Sequence, residues 1–387
     1  MGTIQHAKEI IKTLKSEGYE AYIVGGAVRD HLLGLKPVDF DITTNAKPNQ
    51  VMALFDARAT GFKYGTITVL KHPYTYEVTT YRTDGPSEDQ RHPDYVYFGT
   101  SVEEDVMRRD FTINGLLMDE HLNIYDYVSG QEDIIKRSIK TIGDPILRFS
   151  EDALRILRAI YFQGKLHFEI DFHTLESMRK MGALILQLSN ERIINELIKI
   201  IKTNHQLQAF ETMLQLSLHH HIVGIEKTVE TIVEKKKSIT TDTFFTVCFY
   251  YDLKKMQTWK FSNQQKHKYQ QAAELSKSHI KLNATHLFEY GLEIVKLAAR
   301  TQSYLYGINY AMNKLEYMYA HLPIKSHVDL KMKASEMMAL SHRKAGAWIK
   351  EVQEDMVKKI LTHELKNDRT ALFMYFRETY LKGIQNE

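Results

Sequence analysis

Gly25-Gly26-Ala27-Val28-Arg29-Asp30, running on to Asp39-Phe40-Asp41, is the stretch on which the reading of the fold turns. Tyr22-Ile23-Val24 just before it is short, apolar and β-prone. The glycine pair lets the backbone turn sharply and approach a ligand closely. Val28 through Leu33 carries helical spacing. The stretch therefore reads as strand, glycine turn, short helix and second strand. The amides of the turn fall at a helix N-terminus, where unpaired N–H groups and the positive dipole end suit a phosphate. Asp39 and Asp41 lie two apart on the second strand and so share a face. Adjacent carboxylates facing a phosphate site repel unless something offsets them, and a divalent metal is the usual agent. The pattern is not the dinucleotide fingerprint GxGxxG, and no P-loop sequence occurs in the chain.

The chain has 387 residues, enough for two or more domains. Hydrophobic residues at 43% and charged residues at 26% describe an ordinary globular composition. No window has the apolar run of a membrane span, and no basic segment followed by an apolar block opens the chain, so neither a membrane nor a signal peptide is expected. The single cysteine, Cys248, excludes an internal disulfide framework and a cysteine-based zinc site. Within Phe244–Tyr250 it reads as a small buried hydrophobe. These features together point to a reducing cytoplasm. A net charge of +3 permits a polyanionic partner, bound through local basic faces rather than a global excess. His219-His220-His221 has no metal-binding partner at useful spacing and reads as a polar loop or helix end.

Up to about residue 140 helical and strand-like segments alternate. Helices are expected at Ile4–Ser16 and Asn49–Phe55. Strands are expected at Ala21–Val24, Phe40–Thr43, Thr66–Leu70 and Tyr76–Arg82. Thr83–Gly99 is rich in turn formers and charge without periodicity, which predicts a long functional loop. After Gly143-Asp144-Pro145 almost only helical periodicity remains, with helices expected at Ser150–Gln163, Phe172–Met181, Glu191–Lys202 and Gln206–Leu216. The fold class is thus α+β: an α/β domain around a small sheet, then an all-α remainder.

Four further motifs carry chemistry. Glu77 sits on an alternating, β-branched strand and could join Asp39 and Asp41 if that strand neighbours theirs; an exposed strand glutamate is the plain alternative. In Arg108-Arg109-Asp110-Phe111-Thr112-Ile113-Asn114 the arginines can clamp phosphate and Asp110 can accept from a sugar hydroxyl. Equally, Asp110 could cap a following helix, with the arginines solvated. In Glu151-Asp152-Ala153-Leu154-Arg155-Ile156-Leu157-Arg158, Asp152 and Arg155 share a helix face. There an intrahelical ion pair is the plain reading. The alternative comes from base chemistry. Cytosine and adenine each present an amine donor beside a ring acceptor, whereas uracil and guanine present a carbonyl in place of the amine. An aspartate and an arginine on one rigid face match the first two and not the others. Ser189 reads as an N-cap with Arg192 three residues on, a support for that helix.

With its motifs in this order, the chain through about Asn204 resembles the nucleotidyltransferase superfamily that includes DNA polymerase beta. More closely, it is similar to the class II tRNA nucleotidyltransferases (CCA-adding enzymes) and to the related bacterial poly(A) polymerases. The run Arg108–Asn114 matches the family's RRDFTIN motif in every residue, and Glu151, Asp152 and Arg155 match its EDxxR motif. The resemblance implies a catalytic head at 1–143, a nucleotide-selecting helical neck at 144–204, and an all-helical, tRNA-binding body and tail at 205–387. It also implies Mg2+ held by Asp39 and Asp41, with Glu77 completing the catalytic acids. Nucleotide binding falls to Gly25, Gly26, Arg29, Arg108, Arg109, Asp110, Asn114, Asp152, Arg155 and Arg158. The implied partners are tRNA, with CTP and ATP as substrates, no membrane, and a homodimer as one open assembly. Three alternatives stay open: a poly(A) polymerase, an enzyme adding only the terminal A, and an inactive RNA-binding relative. The helical second half without an arginine-rich tail favours tRNA. The intact acids argue against inactivity, because binding RNA needs no acidic cluster. The 83–99 loop favours addition of the A, since that loop is shortened in relatives that add only CC.

Overall fold

The computed structural model describes residues 2–84 and 96–381, which form two compact units, one ending at Ser238 and one beginning at Ile239. In the first, helix α1 (Ile4–Ser16) is capped by Thr3 and buries Ala7, Ile10, Ile11 and Leu14, the apolar side its spacing predicts. Strand β1 (Ala21–Val24) leads through Gly25 into α2 (Gly26–Leu32). Then come β2 (Asp41–Thr44), α3 (Pro48–Leu54), β3 (Ala57–Gly61), β4 (Thr66–Lys71) and β5 (Tyr74–Thr80). Strands β6 (Arg82–Asp84) and β7 (Val96–Phe98) pair as an antiparallel ribbon. The expected loop is therefore strand at both ends; its centre, 85–95, lies outside the described residues. After α4 (Val102–Met107) come β8 (Leu117–Met118) and β9 (Ile124–Tyr125).

The seven-stranded sheet has the order β3-β4-β5-β2-β1-β8-β9. Only β2 and β5 pair in parallel; all other neighbours are antiparallel. Beneath the centre of the sheet Val24, Tyr81, Val102, Val106 and Leu117 form a buried cluster that fixes α4 against β1. This packing carries the residues that follow α4 towards the glycine turn.

The first unit continues through α5 (Gly130–Ile135), β10 (Ser138–Ile139), α6 (Pro145–Glu151), α7 (Leu154–Leu166), β11 (Glu169–Ile170) and α8 (Phe172–Met181). Helices α9 (Asn190–Ile201), α10 (Gln206–Gln215) and α11 (Glu226–Lys235) complete it. The helix expected over 150–163 is in fact two. The chain breaks at Asp152, which is extended at φ −150° and ψ 101°. One cause is local: an Asp152 carboxylate oxygen takes the Leu154 N–H at 3.0 Å, an alternative to the helical backbone bond. The histidine run forms a short 3-10 turn in which His219 is buried.

The second unit is helical throughout its described residues. It comprises α12 (Thr241–Tyr251), α13 (Leu253–Met256), α14 (Asn263–Lys277), α15 (Ala284–Tyr306, interrupted at Gly291), α16 (Met312–Ala320), α17 (Ala334–Ser341), α18 (Ala347–Leu361) and α19 (Arg369–Phe376), with short 3-10 and π turns. Phe245, Phe249, Trp259, Phe261 and Tyr269 stack into an aromatic core, and Cys248 is buried on the same helix. No described helix is long and apolar enough to cross a membrane.

Candidate active site

Three carboxylates meet at the end of the parallel strand pair. Asp39 and Asp41 are exposed and flank buried Phe40, but the strand begins at Asp41, so Asp39 lies just before it rather than on it as the sequence suggested. Asp41 opposes Val24, the last residue before the glycine turn, on one side and Glu77 on the other. The sequence left open whether the Glu77 strand neighbours that of Asp41; the register answers it. Among the described residues none of the three side chains makes a hydrogen bond or ion pair. Asp41 touches solvent, yet protein surrounds it closely enough to strip part of its hydration. That desolvation, then Glu77, and more weakly Asp39, push its carboxyl up to about 6, against the pull of Arg109.

Gly25 has φ 75°, a left-handed conformation that favours glycine. Its turn runs between two guanidinium groups. A Cβ on Gly25 would lie 4.0 Å from Arg109 Nη1, and one on Gly26 would lie 3.5 Å from Arg29 Nη2. Arg109 is positioned by a residue the sequence reading passed over, Asp105, whose side chain is 0% exposed. Asp105 receives Arg109 Nη2 at 2.9 Å, Arg108 Nε and Nη2 at 2.9 and 2.7 Å, and Thr43 Oγ1 of β2 at 3.2 Å. Burial raises its pKa, but Arg109 and Arg108 outweigh that and hold the carboxyl below its ordinary value. Arg109 Nε is buried without a partner, a donor left open beside the turn. The i, i+3 and i, i+4 spacing of Asp105 to the two arginines was the available signal.

Asp110 does not cap a helix. Its Oδ1 accepts from the Phe111 N–H at 2.8 Å and from Asn114 Nδ2 at 3.1 Å; its Oδ2 accepts from Arg158 Nε at 2.8 Å and Nη2 at 2.5 Å. Burial raises its pKa, yet Arg158 and Asn114 bring it below the usual carboxylate range. Asn114 Oδ1 in turn accepts from Arg29 Nη1, and Arg29 Nε and Nη2 reach Asp30 Oδ1 at 2.9 and 2.6 Å. The Phe162 ring lies under both Arg29 and Arg158, at 5.2 and 5.3 Å. The sequence reading took Arg29 as a phosphate ligand. In the structure its side chain is 2% exposed; three of its five N–H groups bind Asn114 and Asp30, which leaves one on Nη1 and one on Nη2, the nitrogen beside Gly26.

Asp152 and Arg155 come from opposite sides of the break between α6 and α7, not from one helix face. Asp152 is gripped by Arg192 Nη2, at 2.9 Å to Oδ1 and 3.0 Å to Oδ2. Ser189 caps α9 as its spacing predicts, and so sets where Arg192 projects. Arg155 pairs with Glu151 at 2.7 Å through Nη1 and donates to the carbonyls of Arg148 and Arg108. This leaves Nε–H and one Nη2–H of its five donors, while Asp152 Oδ2 keeps lone-pair capacity. Arg148 was not singled out from sequence. It ties the segment to the head by donating to the Ile142 and Met107 carbonyls at 2.9 and 2.6 Å.

Comparison with known proteins places the chain in a family. The Poly A polymerase head domain model matches residues 21–140, and the tRNA nucleotidyltransferase domain 2 model matches 233–375. A CCA-adding enzyme of Staphylococcus haemolyticus is 32% identical, covering 98% of this chain and 99% of the relative. One of Bacillus pumilus is 35% identical, covering 95% of each. The crystal structure of the Bacillus stearothermophilus CCA-adding enzyme in complex with CTP matches with a TM-score of 0.87 at 29% identity, covering 100% of both chains. Relatives this similar over almost the whole length leave one assignment: the chain belongs to the CCA-adding enzyme family of tRNA nucleotidyltransferases.

Proposed function

We infer that this chain completes the 3′ end of tRNA, transferring CMP and AMP from CTP and ATP to the 3′-hydroxyl with release of pyrophosphate and without a nucleic-acid template. The observation that carries the site reading is the run Val24–Gly25, Asp41 and Glu77 on adjacent strands, with Arg109 aimed at the turn. A poly(A) polymerase shares such a head. The similarity to CCA-adding enzymes over the whole length, second unit included, favours tRNA.

The family works with a divalent metal, and Asp39 and Asp41 fit one. They are hard oxygen donors without direct protein partners; the Asp41 carboxyl is raised chiefly by burial, with Glu77 adding negative charge beside it. Among the described residues no three acidic, histidine or cysteine side chains close into a cage. Mg2+ takes one or two carboxylates and draws its other ligands from water and substrate phosphates, and Asp39 and Asp41 supply that number. Mg2+ held there would polarise the phosphate under attack and make the 3′-hydroxyl more acidic. Glu77, beside Asp41, accepts the hydroxyl proton. The Gly25-Gly26 amides and Arg109 hold the triphosphate and stabilise the departing pyrophosphate. Asp110, Asn114 and Arg158 form one braced unit against which the sugar is oriented. Asp152 accepts from the exocyclic amine of C or A, and Arg155 donates to the adjacent ring nitrogen. The residues 1–143 act as head and 144–204 as neck, with tRNA held by the helical remainder in the cytoplasm.

The test is direct. Purified protein, tRNA lacking its 3′ end, labelled CTP or ATP and Mg2+ should give addition of C, C and A followed by arrest. Long A tails on any RNA would point to the polymerase, and no incorporation with any divalent metal would overturn the reading.

A further inference from the structure

A helix that takes no part in the chemistry backs the segment carrying Asp110 and Asn114. Asp110 precedes, and Asn114 ends, a single 3-10 turn, Thr112–Asn114. A turn of three residues has too few bonds of its own to fix its orientation, so that must come from its neighbours. Two ties are backbone. The Thr112 N–H donates to the Lys140 carbonyl at 2.9 Å, and the Ile142 N–H donates to the Asp110 carbonyl at 3.1 Å. The third runs through side chains: Thr112 Oγ1 donates to Asp133 Oδ2 at 2.6 Å. Both residues are buried, so water offers the hydroxyl no easy substitute for this acceptor. Asp133 lies on α5, three residues after Gly130, and so on the same side of that helix. A Cβ on Gly130 would lie 2.2 Å from the Thr112 carbonyl oxygen, so α5 abuts the turn with no room for a side chain between them. The start of α5 is itself fixed by Asp126, which accepts from the N–H groups of Val128, Gly130 and Gln131 at 3.1, 3.0 and 2.9 Å. The chain of contacts is continuous: Asp126 sets α5, α5 sets Asp133, and Asp133 sets the turn.

We propose that Asp133 is a positioning residue of the nucleotide site: through the Thr112 hydroxyl it holds Asp110 and Asn114 at the angle that receives the ribose of the incoming CTP or ATP. This rests on the function and the sugar role proposed above, and adds a residue that lies outside the motifs quoted from the sequence. Asp133 touches no nucleotide; it acts by keeping a preformed site from loosening. CTP and ATP carry the same ribose, so Asp133 serves C and A addition alike, unlike Asp152 and Arg155.

Ratios of kcat/KM, measured on the full-length protein with Mg2+ and tRNA lacking its 3′ end, test it. The wild type should prefer CTP over dCTP and CTP over UTP. Asp133→Ala leaves the Thr112 hydroxyl buried without its acceptor, which lowers stability as well. Thr112→Val combined with Asp133→Leu removes the same bond but fills its place with apolar groups, so the fold is kept, as far-UV circular dichroism would show. In both variants the preference for CTP over dCTP should fall about tenfold, because only CTP has the hydroxyl that a loosened turn fails to hold. The preference for CTP over UTP should stay at the wild-type value. Asp133→Asn keeps an acceptor oxygen and should restore most of the preference for CTP over dCTP. An unchanged CTP to dCTP ratio in the double variant, with or without a loss of rate, would overturn the proposal and leave α5 a structural support. So would an equal fall in both ratios, which would place the effect outside the sugar. A wild type that adds CCA but uses dCTP as readily as CTP would remove the sugar role of the turn and the proposal with it. Failure of the wild type to add CCA would instead overturn the function itself.

Discussion

The acids at the strand ends and the ion-pair network around them use the same residue types to opposite ends. Asp41 and Glu77 on adjacent strands, with Asp39 just before the first of them, stand without direct partners, and Asp41 is pushed towards protonation. Asp105, Asp110 and Asp152 are each gripped by one or two arginines, and burial fails to raise the first two because those arginines outweigh it. The first group is left unsatisfied, which costs the fold and leaves its oxygens open to the cation proposed above. The second is satisfied within the protein, so it stabilises the fold and aims the few donors and acceptors left over. The division explains why the RRDFTIN run, so legible as a nucleotide clamp, turns out to brace itself first.

The comparison is broken most sharply at Asp41. Asp41→Asn should reduce C and A addition on the order of 10³-fold or more, as expected for loss of a charge that holds the reacting phosphate region. The folded state should survive, judged by far-UV circular dichroism. Activity within tenfold of wild type would remove Asp41 from the chemistry. Asp105→Asn should do the reverse. It leaves two arginines without their buried partner, and removal of one member of such a pair costs about 3–5 kcal/mol. The melting temperature of the variant should fall by roughly 10 °C. An unchanged melting temperature would show the Asp105 cluster to be dispensable to the fold.

The sequence displayed the acids and the turn because local rules govern them: glycine conformational freedom, strand alternation and helix start. It displayed Ser189 as a cap for the same reason. Asp105 was hidden in plain spacing, since a helical Asp followed by two arginines reads first as surface charge. Arg192 and Asp152 are 40 residues apart, and nothing local announces their pairing. The break at Asp152 was missed because its cause is that long-range grip together with a side chain competing for one backbone N–H. Strand β3, with the sequence Ala-Arg-Ala-Thr-Gly, offers only alanines as apolar residues, buries none of them fully, and is held as a strand by pairing with β4.

Arg192 sharpens the comparison with a smaller effect. It touches Asp152, and on the role proposed for Asp152 it would hold the base acceptor in place. Arg192→Ala should lower the preference for CTP over UTP, measured as the ratio of kcat/KM values, by about tenfold. Asp152→Ala should lower it further, and both should leave metal dependence intact. Unchanged selectivity in both variants would place base choice outside this pair.

The smallest effect concerns stability and comes from the unsatisfied group itself. In the metal-free protein the Asp41 carboxyl titrates at about 6, above the ordinary 3.8. Between these values the folded protein holds a proton that the unfolded chain has released. Unfolding then releases a proton, so stability falls as pH rises from about 4 to 6 and stays at its lower level above that. The group is in contact with water, which screens the effect to a melting-temperature difference on the order of a few °C. Asp41→Asn removes the titration. The wild type in EDTA should therefore melt progressively below the variant as pH rises through this window, with a constant gap from pH 7. Mg2+ binds the ionised carboxylate and should close the gap at pH 7.5 but not at pH 4.5, where the proton competes for the same oxygens. A gap independent of pH, or one untouched by Mg2+ at pH 7.5, would mean that Asp41 is not the strained member of the site.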